Sequence, residues 1–384
     1  MASLFILGFM EFVRGALVLS VIPLYGRHVT GLGLGVIGAA ISLHYLLDNI
    51  FRLPAGWLTD RYGPKRLLSA GIIISSAGVA IIYYHWSPVS FVLGAGLFGL
   101  GISPAWPAAM SAVTSRVPAQ QAGEALSKVF IAWLAGTGLG PLIINFIIDR
   151  SYNIVFLVLS GAMAAGLLFT VSAKLPPATG TGKVNSLDFL KGLTRNLLSL
   201  KIIYPGMFVQ TMSIGILMPV LTIYALKVFG LSAEQLNFVL LGGGGFTVLL
   251  LIPVGKIIDR LGIKGPLVGG FLLAAISLFL LPLQSLITGA LTTGAILGIA
   301  YAFILPAWNG LMARAVDPEK RGSMWAVFMT IEGLGTATGS LLGGKMGDVF
   351  GYRAPFFASS VILFSMAVFY ASGRLGRLIT AVNR

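Results

Sequence analysis

Apolar runs of about 20 residues, each closed by a short polar or Gly/Pro-containing turn, recur along the whole chain. They predict twelve helical spans, near residues 2–24, 33–58, 67–85, 89–113, 124–147, 154–173, 204–226, 235–257, 266–283, 286–312, 323–344 and 354–373. About 20 residues at ~1.5 Å rise each cross the roughly 30 Å hydrocarbon core of a bilayer. One stretch breaks the rhythm. Residues 174–203 carry several Lys, include PPATGTGKVNS and continue as SLDFLKGLTRNLLSLK. Leu190, Leu193, Leu197 and Leu200 share one helical face there, so either an interfacial helix on the cytoplasmic leaflet or a plain linker is expected. The predicted organisation is an N-terminal six-helix bundle (1–173), a cytoplasmic linker (174–203) and a C-terminal six-helix bundle (204–384). No small-residue cleavage site closes the first apolar run, which therefore reads as a retained helix rather than a signal peptide.

Composition agrees with a membrane-spanning chain. Of 384 residues 57% are hydrophobic and only 10% charged, where soluble proteins carry about 25%. Glycine, at 50 residues, suits helices that approach closely through small side chains. The absence of cysteine removes disulfides, thiolate catalysis and Cys-ligated metals. With three His and no HExxH, GxSxG or P-loop pattern, an enzyme is not expected, nor a metal or cofactor. If the N-terminus is cytoplasmic, the inside loops and tail hold 18 Lys/Arg. The outside loops hold five, Arg27, Arg150, Lys227, Lys345 and Arg353, while Arg14, Arg52 and Lys128 lie within spans. The positive-inside rule thus predicts both termini in the cytoplasm. It also assigns the net charge of +14 to orientation and anionic-lipid contact, not to nucleic acid.

The chain repeats itself. Residues 56–66 read GWLTDRYGPKR and 255–265 read GKIIDRLGIKG, an offset of 199; PAW occurs at 104–106 and again at 306–308; Gly123 and Gly322 close equivalent loops. A parallel duplication of six spans is an arrangement of transporters whose halves rock about a central site. With these motifs the chain resembles the major facilitator superfamily over its whole length. The resemblance implies an all-α membrane protein of 12 transmembrane helices in two parallel six-helix repeats. It also implies a cytoplasmic gate at Gly56, Asp60, Arg61, Gly63, Lys65 and Arg66, with Asp259 and Arg260 as the partial copy. Physically, Asp60 can sit at the N-terminus of a neighbouring helix while Arg61, Lys65 and Arg66 face lipid phosphate; a loop that only anchors topology is the alternative. Gly136, Gly140 and Pro141 resemble the antiporter motif of drug/proton exchangers, and equally fit simple helix packing.

Against this apolar background stand a few charges. Glu11 and Arg14 interrupt GFMEFVRGALVL, and each charge at the bilayer centre costs roughly 2.5–3.5 kcal/mol. As i,i+3 neighbours they can satisfy each other. His44, Asp48 and Arg52 follow one face of the second span, and Glu11, Asp48, Trp106 and Trp133 fall at one depth. Helices 1, 2, 4 and 5 are therefore expected to line a polar, aromatic pocket. Arg52 and Lys128 are expected to snorkel toward the cytoplasmic surface. Asp48, with no equally certain partner, reads as the likelier proton carrier, with Glu11 and Glu332 also in play. The spans from about 204 to 312 carry no acidic residue within the membrane, and Glu332 is the repeat-mate of Trp133. A polar half beside an apolar half suits an amphiphile.

MEFVRG, HYLLD, SPAW, FIAWLAG, MPVLTIYALKV and ILPAWNGLMAR together resemble the lipoteichoic-acid anchor-glycolipid flippases of Gram-positive bacteria. The resemblance implies a monomeric proton-coupled antiporter in a bacterial plasma membrane, moving diglucosyl-diacylglycerol to the outer leaflet. Glu11, Arg14, Asp48, Trp106 and Trp133, with His44, would form the headgroup pocket. The alternative is a proton-coupled multidrug efflux antiporter for lipophilic compounds, to which the full loop motif and Gly140-Pro141 point. Arg14 argues against a cationic substrate.

Overall fold

A computed structural model of the chain describes residues 2–114, 122–178, 204–315 and 321–372, and the regular structure among them is helical. In the first half the helices are α1 (Ala2–His28), α2 (Leu34–Tyr62), α3 (Pro64–Tyr84), α4 (Pro88–Val113), α5 (Ala122–Ile148) and α6 (Tyr152–Ser172). In the second they are α7 (Tyr204–Phe229), α8 (Ala233–Leu261), α9 (Lys264–Leu283), α10 (Ile287–Ala315), α11 (Arg321–Phe350) and α12 (Ala354–Ala371). Eleven of them contain a stretch long and apolar enough to cross a membrane. The twelfth, α11, has ample length at 30 residues, but its GTATGSLLGG stretch replaces large apolar side chains with small and hydroxyl-bearing ones. The helix expected around Leu190–Leu200 lies outside the described residues.

The chain divides into two compact units, Met1–Lys191 and Gly192–Arg384. Packing inside each follows one plan. In the first unit α1 packs on α5 and α6, α4 on α2 and α3, and α3 on α6; in the second α7 packs on α11 and α12, α10 on α8 and α9, and α9 on α12. The repeat visible in the motifs is thus a repeat of helix contacts. Its closest approaches depend on glycine. A Cβ at Gly140 would fall on the Phe12 carbonyl oxygen and 2.7 Å from the Ala16 nitrogen. One at Gly339 would fall on the Met212 carbonyl oxygen and 2.9 Å from the Ile216 nitrogen. Without side chains at these positions the backbones of α1 and α5, and of α7 and α11, can touch.

Large apolar side chains such as Leu157, Leu168, Leu249 and Ile252 point outward, while charges are buried inside the first unit. In water that distribution would be inverted; in lipid it is the stable one. Local irregularities occur near the site. α1 contains a π-helical turn at Leu17–Val21. α4 is interrupted at Ser103–Pro104, where the Ser103 hydroxyl donates to the Leu100 carbonyl at 2.8 Å. The second PAW behaves differently, since α10 runs unbroken through Pro306.

Candidate functional site

Helix periodicity places Glu11 and Arg14 on one face of α1, and Asp48 and Arg52 on one face of α2. The fold brings the two faces together. Arg14 Nη2 lies 2.6 Å from Glu11 Oε2, and Arg14 Nη1 lies 3.4 Å from Asp48 Oδ2. Arg52 Nη2 donates to the same Asp48 oxygen at 2.6 Å. The result is a buried chain of alternating charge, Glu11–Arg14–Asp48–Arg52, with no net charge. From α5 the Thr137 hydroxyl donates to Glu11 Oε2 at 3.0 Å, tying a third helix to the chain.

Two expectations are corrected here. Asp48 does not lack a firm partner: it is held by two guanidinium groups, one on its own helix and one on α1. Nor does Arg52 snorkel. It is buried, because a carboxylate one helical turn away offers a charge-assisted hydrogen bond that a lipid-facing position would not. Lys128 is exposed, in keeping with a cation that reaches for the surface. Glu11 is the acid with an open acceptor: its Oε1 is buried and has no hydrogen-bond partner among the described residues. An unpaired carboxylate oxygen in a dry site carries a desolvation cost that a proton or a donor hydroxyl would relieve.

The aromatic side of the site comes from α4 and α5. The Trp106 and Trp133 ring centroids are 6.1 Å apart, and Phe130 packs edge-on to both, at 5.2 and 6.5 Å. Trp133 lies one turn from Gly136 and Thr137 on the face of α5 that meets α1. A Cβ at Gly136 would come within 2.8 Å of the Glu11 Cβ, so the absent side chain lets α5 approach α1 beside the carboxylate. Pro141 is buried on the same helix, beside Gly140. His44 is closed off from solvent: its ring stacks on Phe98 at 5.4 Å and 22° and meets Tyr45 edge-on at 5.0 Å. Thr137, Tyr45 and Phe130 were not expected from the sequence. Their signal is spacing alone, each lying one to four residues from a residue already singled out.

At the far end of α2, Gly56 faces Pro107 of α4, where a Cβ would make ordinary contact at 3.5 Å. Gly63 closes the helix with φ +85°, its N–H donating to the Thr59 carbonyl at 2.8 Å. Gly262 does the same at the repeat position, with φ +80° and a 2.8 Å bond to Ile258. Arg61 lies over the Trp57 and Tyr62 rings, at 5.2 and 5.4 Å, and the Lys65 ammonium donates to the Val171 carbonyl of α6. Arg66 and Arg260 are exposed; the side chain of Asp259 lies outside the described set. Asp60 is exposed, and the residue that precedes α3 is Gly63, which has no side chain to cap it. In the second unit Glu332 is half-buried on α11, its carbonyl accepting from the Thr336 hydroxyl at 3.0 Å.

Comparison with known proteins bears on this arrangement. A sequence profile of the Major Facilitator Superfamily matches residues 4–201 and 203–376. The proton-coupled antiporter flippase LtaA of Staphylococcus haemolyticus is 30% identical over 381 residues, covering 96% of this chain and 92% of that protein. Its counterpart in Staphylococcus aureus is 29% identical over 377 residues, covering 96% and 93%. Among solved structures, the nucleoside transporter NupG superposes with a TM-score of 0.80 at 16% identity, covering 96% of this chain and 98% of NupG. The xylose transporter XylE from E. coli, in an inward-open conformation, gives 0.73 at 17% identity, covering 96% and 94%. At such identities the structural matches speak to the fold alone.

Proposed function

The chain belongs to the major facilitator superfamily, and from that premise we propose that it is a proton-coupled antiporter moving an amphiphilic lipid between leaflets by alternating access. Its substrate is a glycolipid of the diglucosyl-diacylglycerol type. It works as a monomer in a bacterial plasma membrane, with both termini in the cytoplasm as the distribution of Lys and Arg favours. The observation that carries this reading is the buried Glu11–Arg14–Asp48–Arg52 chain, bound by Thr137 of α5, with Trp133 of the indole pair one turn before Thr137 on that helix. Carboxylates and guanidinium groups can each take two hydrogen bonds from or to neighbouring hydroxyls, and indole faces accept the C–H face of a sugar. A headgroup that inserts hydroxyls among these groups replaces their mutual bonds without leaving a charge unpaired. The similarity to proton-coupled antiporter flippases supports both the substrate class and the coupling.

The proton is carried on the Glu11 and Asp48 pair, with Glu11 foremost. Glu11 Oε1 can accept a proton without breaking the bonds that Oε2 makes to Arg14 and Thr137, whereas Asp48 Oδ2 is shared by two guanidiniums. Protonation and headgroup binding compete for the same carboxylate, so each biases the alternating states in opposite directions. The exposed Arg61, Lys65 and Arg66 at the end of α2 and start of α3 act at the cytoplasmic gate, against the lipid headgroups.

The test is reconstitution in liposomes with a fluorescent diglucosyl-diacylglycerol, with and without an imposed pH gradient. Gradient-dependent movement to the outer leaflet is expected, with the gradient dependence lost in Glu11→Gln. Movement of a lipophilic dye in place of the glycolipid would transfer the protein to the drug antiporters. Full gradient dependence in both Glu11→Gln and Asp48→Asn would remove the proton from this pair.

A further inference from the structure

At the end of the first unit opposite the GWLTDRYGPKR loop, α1, α3 and α6 frame a hollow of ≈ 480 Å³ that is widely open to the surface, within the roughly 300–1,000 Å³ of ligand pockets. Its walls are chiefly Tyr25, Tyr83, Tyr84, Ser151, Tyr152 and Asn153, and no charged side chain lines it. The 21 residues of α3 separate it from the loop, about 30 Å at ~1.5 Å per residue.

Hydrogen bonds and ring contacts fix the inner wall of the hollow. Tyr25 is buried and forms the floor: its hydroxyl donates to the Tyr83 carbonyl at 2.8 Å and lies 3.4 Å from His85 Nδ1. Its ring packs against Tyr152 and Phe156, at 5.3 and 5.0 Å. The Tyr83 hydroxyl donates to Asn153 Oδ1 at 2.9 Å, which leaves the Asn153 amide N–H groups free to donate outward. The hydroxyls of Tyr84 and Tyr152 have no hydrogen-bond partner among the described residues. Tyrosines that serve only as a membrane-interface belt would turn their rings to lipid, as the 76% exposed Trp86 next door does. Tyr84, on the rim, is likewise 71% exposed, whereas Tyr25, Tyr83 and Tyr152 are drawn further in with their polar groups gathered.

Uncharged hydroxyl and amide groups beside open ring faces match a neutral polyhydroxylated ligand, with hydroxyls at its edge and C–H groups on its face. We propose that this hollow is a second carbohydrate site, on the outer face, that takes the sugar headgroup of the lipid after it has crossed. The assignment of sugar and of outer face rests on the glycolipid reading above. The site is separate from the charged pocket, since it shares no lining residue with it.

The experiment is saturation-transfer NMR on the intact protein in lipid nanodiscs with a soluble glucose disaccharide, run beside the liposome assay. Saturation transfer is expected with the unaltered protein and with Trp133→Ala. Binding about fivefold weaker is expected when Tyr152→Phe or Asn153→Ala is added to Trp133→Ala, so that the charged pocket does not mask the change, the usual effect of deleting one hydrogen bond of about 1 kcal/mol. Tyr152→Phe removes a single hydroxyl and Asn153 is exposed, so both variants keep the fold; their thermal unfolding checks this. No transfer with the unaltered protein, or transfer abolished by Trp133→Ala and unmoved by the two pocket variants, overturns the second site. If liposomes fail to flip glycolipid while the hollow still binds the disaccharide, the site stands and the transport reading falls.

Discussion

At Arg14 one guanidinium meets carboxylates from two helices, with Glu11 at 2.6 Å and Asp48 at 3.4 Å. Removing it leaves two buried acids and only Arg52 to face them. Arg14→Met should therefore destabilise the protein by roughly 3–5 kcal/mol, the cost of breaking a buried ion pair from one side. Thermal unfolding in detergent measures it, and the loss should shrink when Glu11→Gln is added, because the two substitutions act on one bond. Equal losses in both backgrounds would mean that the Glu11–Arg14 contact contributes nothing. How far such a site can be read without a structure depends on whether its partners share a helix. Glu11 with Arg14 follows from i,i+3 spacing. Arg52 also sits one turn from Asp48, but spacing alone does not separate that partnership from the expected reach to the cytoplasmic surface. What decided it was the location of Asp48, facing α1 rather than lipid.

Among the helices, glycine separates packing from mere composition. Gly138 and Gly140 lie two residues apart on α5, yet a Cβ at Gly138 meets nothing within 4 Å, whereas one at Gly140 strikes the α1 backbone. Gly140→Ala should cost about 1–3 kcal/mol, as overpacking does, and Gly138→Ala should leave the unfolding temperature unchanged or slightly raised. The same contrast should hold for Gly339→Ala on α11, whose Cβ would strike α7. Similar unfolding temperatures for Gly138→Ala and Gly140→Ala would argue that α1 and α5 are not in close contact. The Gly-x-x-x-Gly spacing of 136 and 140 marks a packing face in the sequence. It does not identify the partner helix, nor reveal that Thr137, between the two glycines, would reach across to Glu11.

For the molecule as a whole, the two units repeat the same pairing of helices while their contents diverge. The first buries four charges, and the second buries none of the charged side chains described in it. The orientation that this asymmetry serves can be measured directly, because the chain has no cysteine to confuse labelling. A membrane-impermeant maleimide should modify Trp86→Cys in intact cells and Arg66→Cys only after permeabilisation, both positions being exposed. The reverse pattern would place the termini outside and move the tyrosine hollow to the cytoplasmic face.

The number of spans, the internal duplication, the family and the residues with chemical character were determined by the sequence itself. The reason is that lipid imposes a length of apolar helix, and a duplicated chain retains its motifs at a fixed offset. Glycine at the helix ends was similarly legible, since the positive φ at Gly63 and Gly262 closes the two copies of one motif. Only the tertiary structure decided that Asp48 answers to two arginines, that one oxygen of Glu11 has no partner among the described residues, and that tyrosines from three helices line one hollow. Each of these depends on which face of one helix meets which face of another. Periodicity within a helix gives the faces; the pairing comes from close packing between helices far apart in the chain.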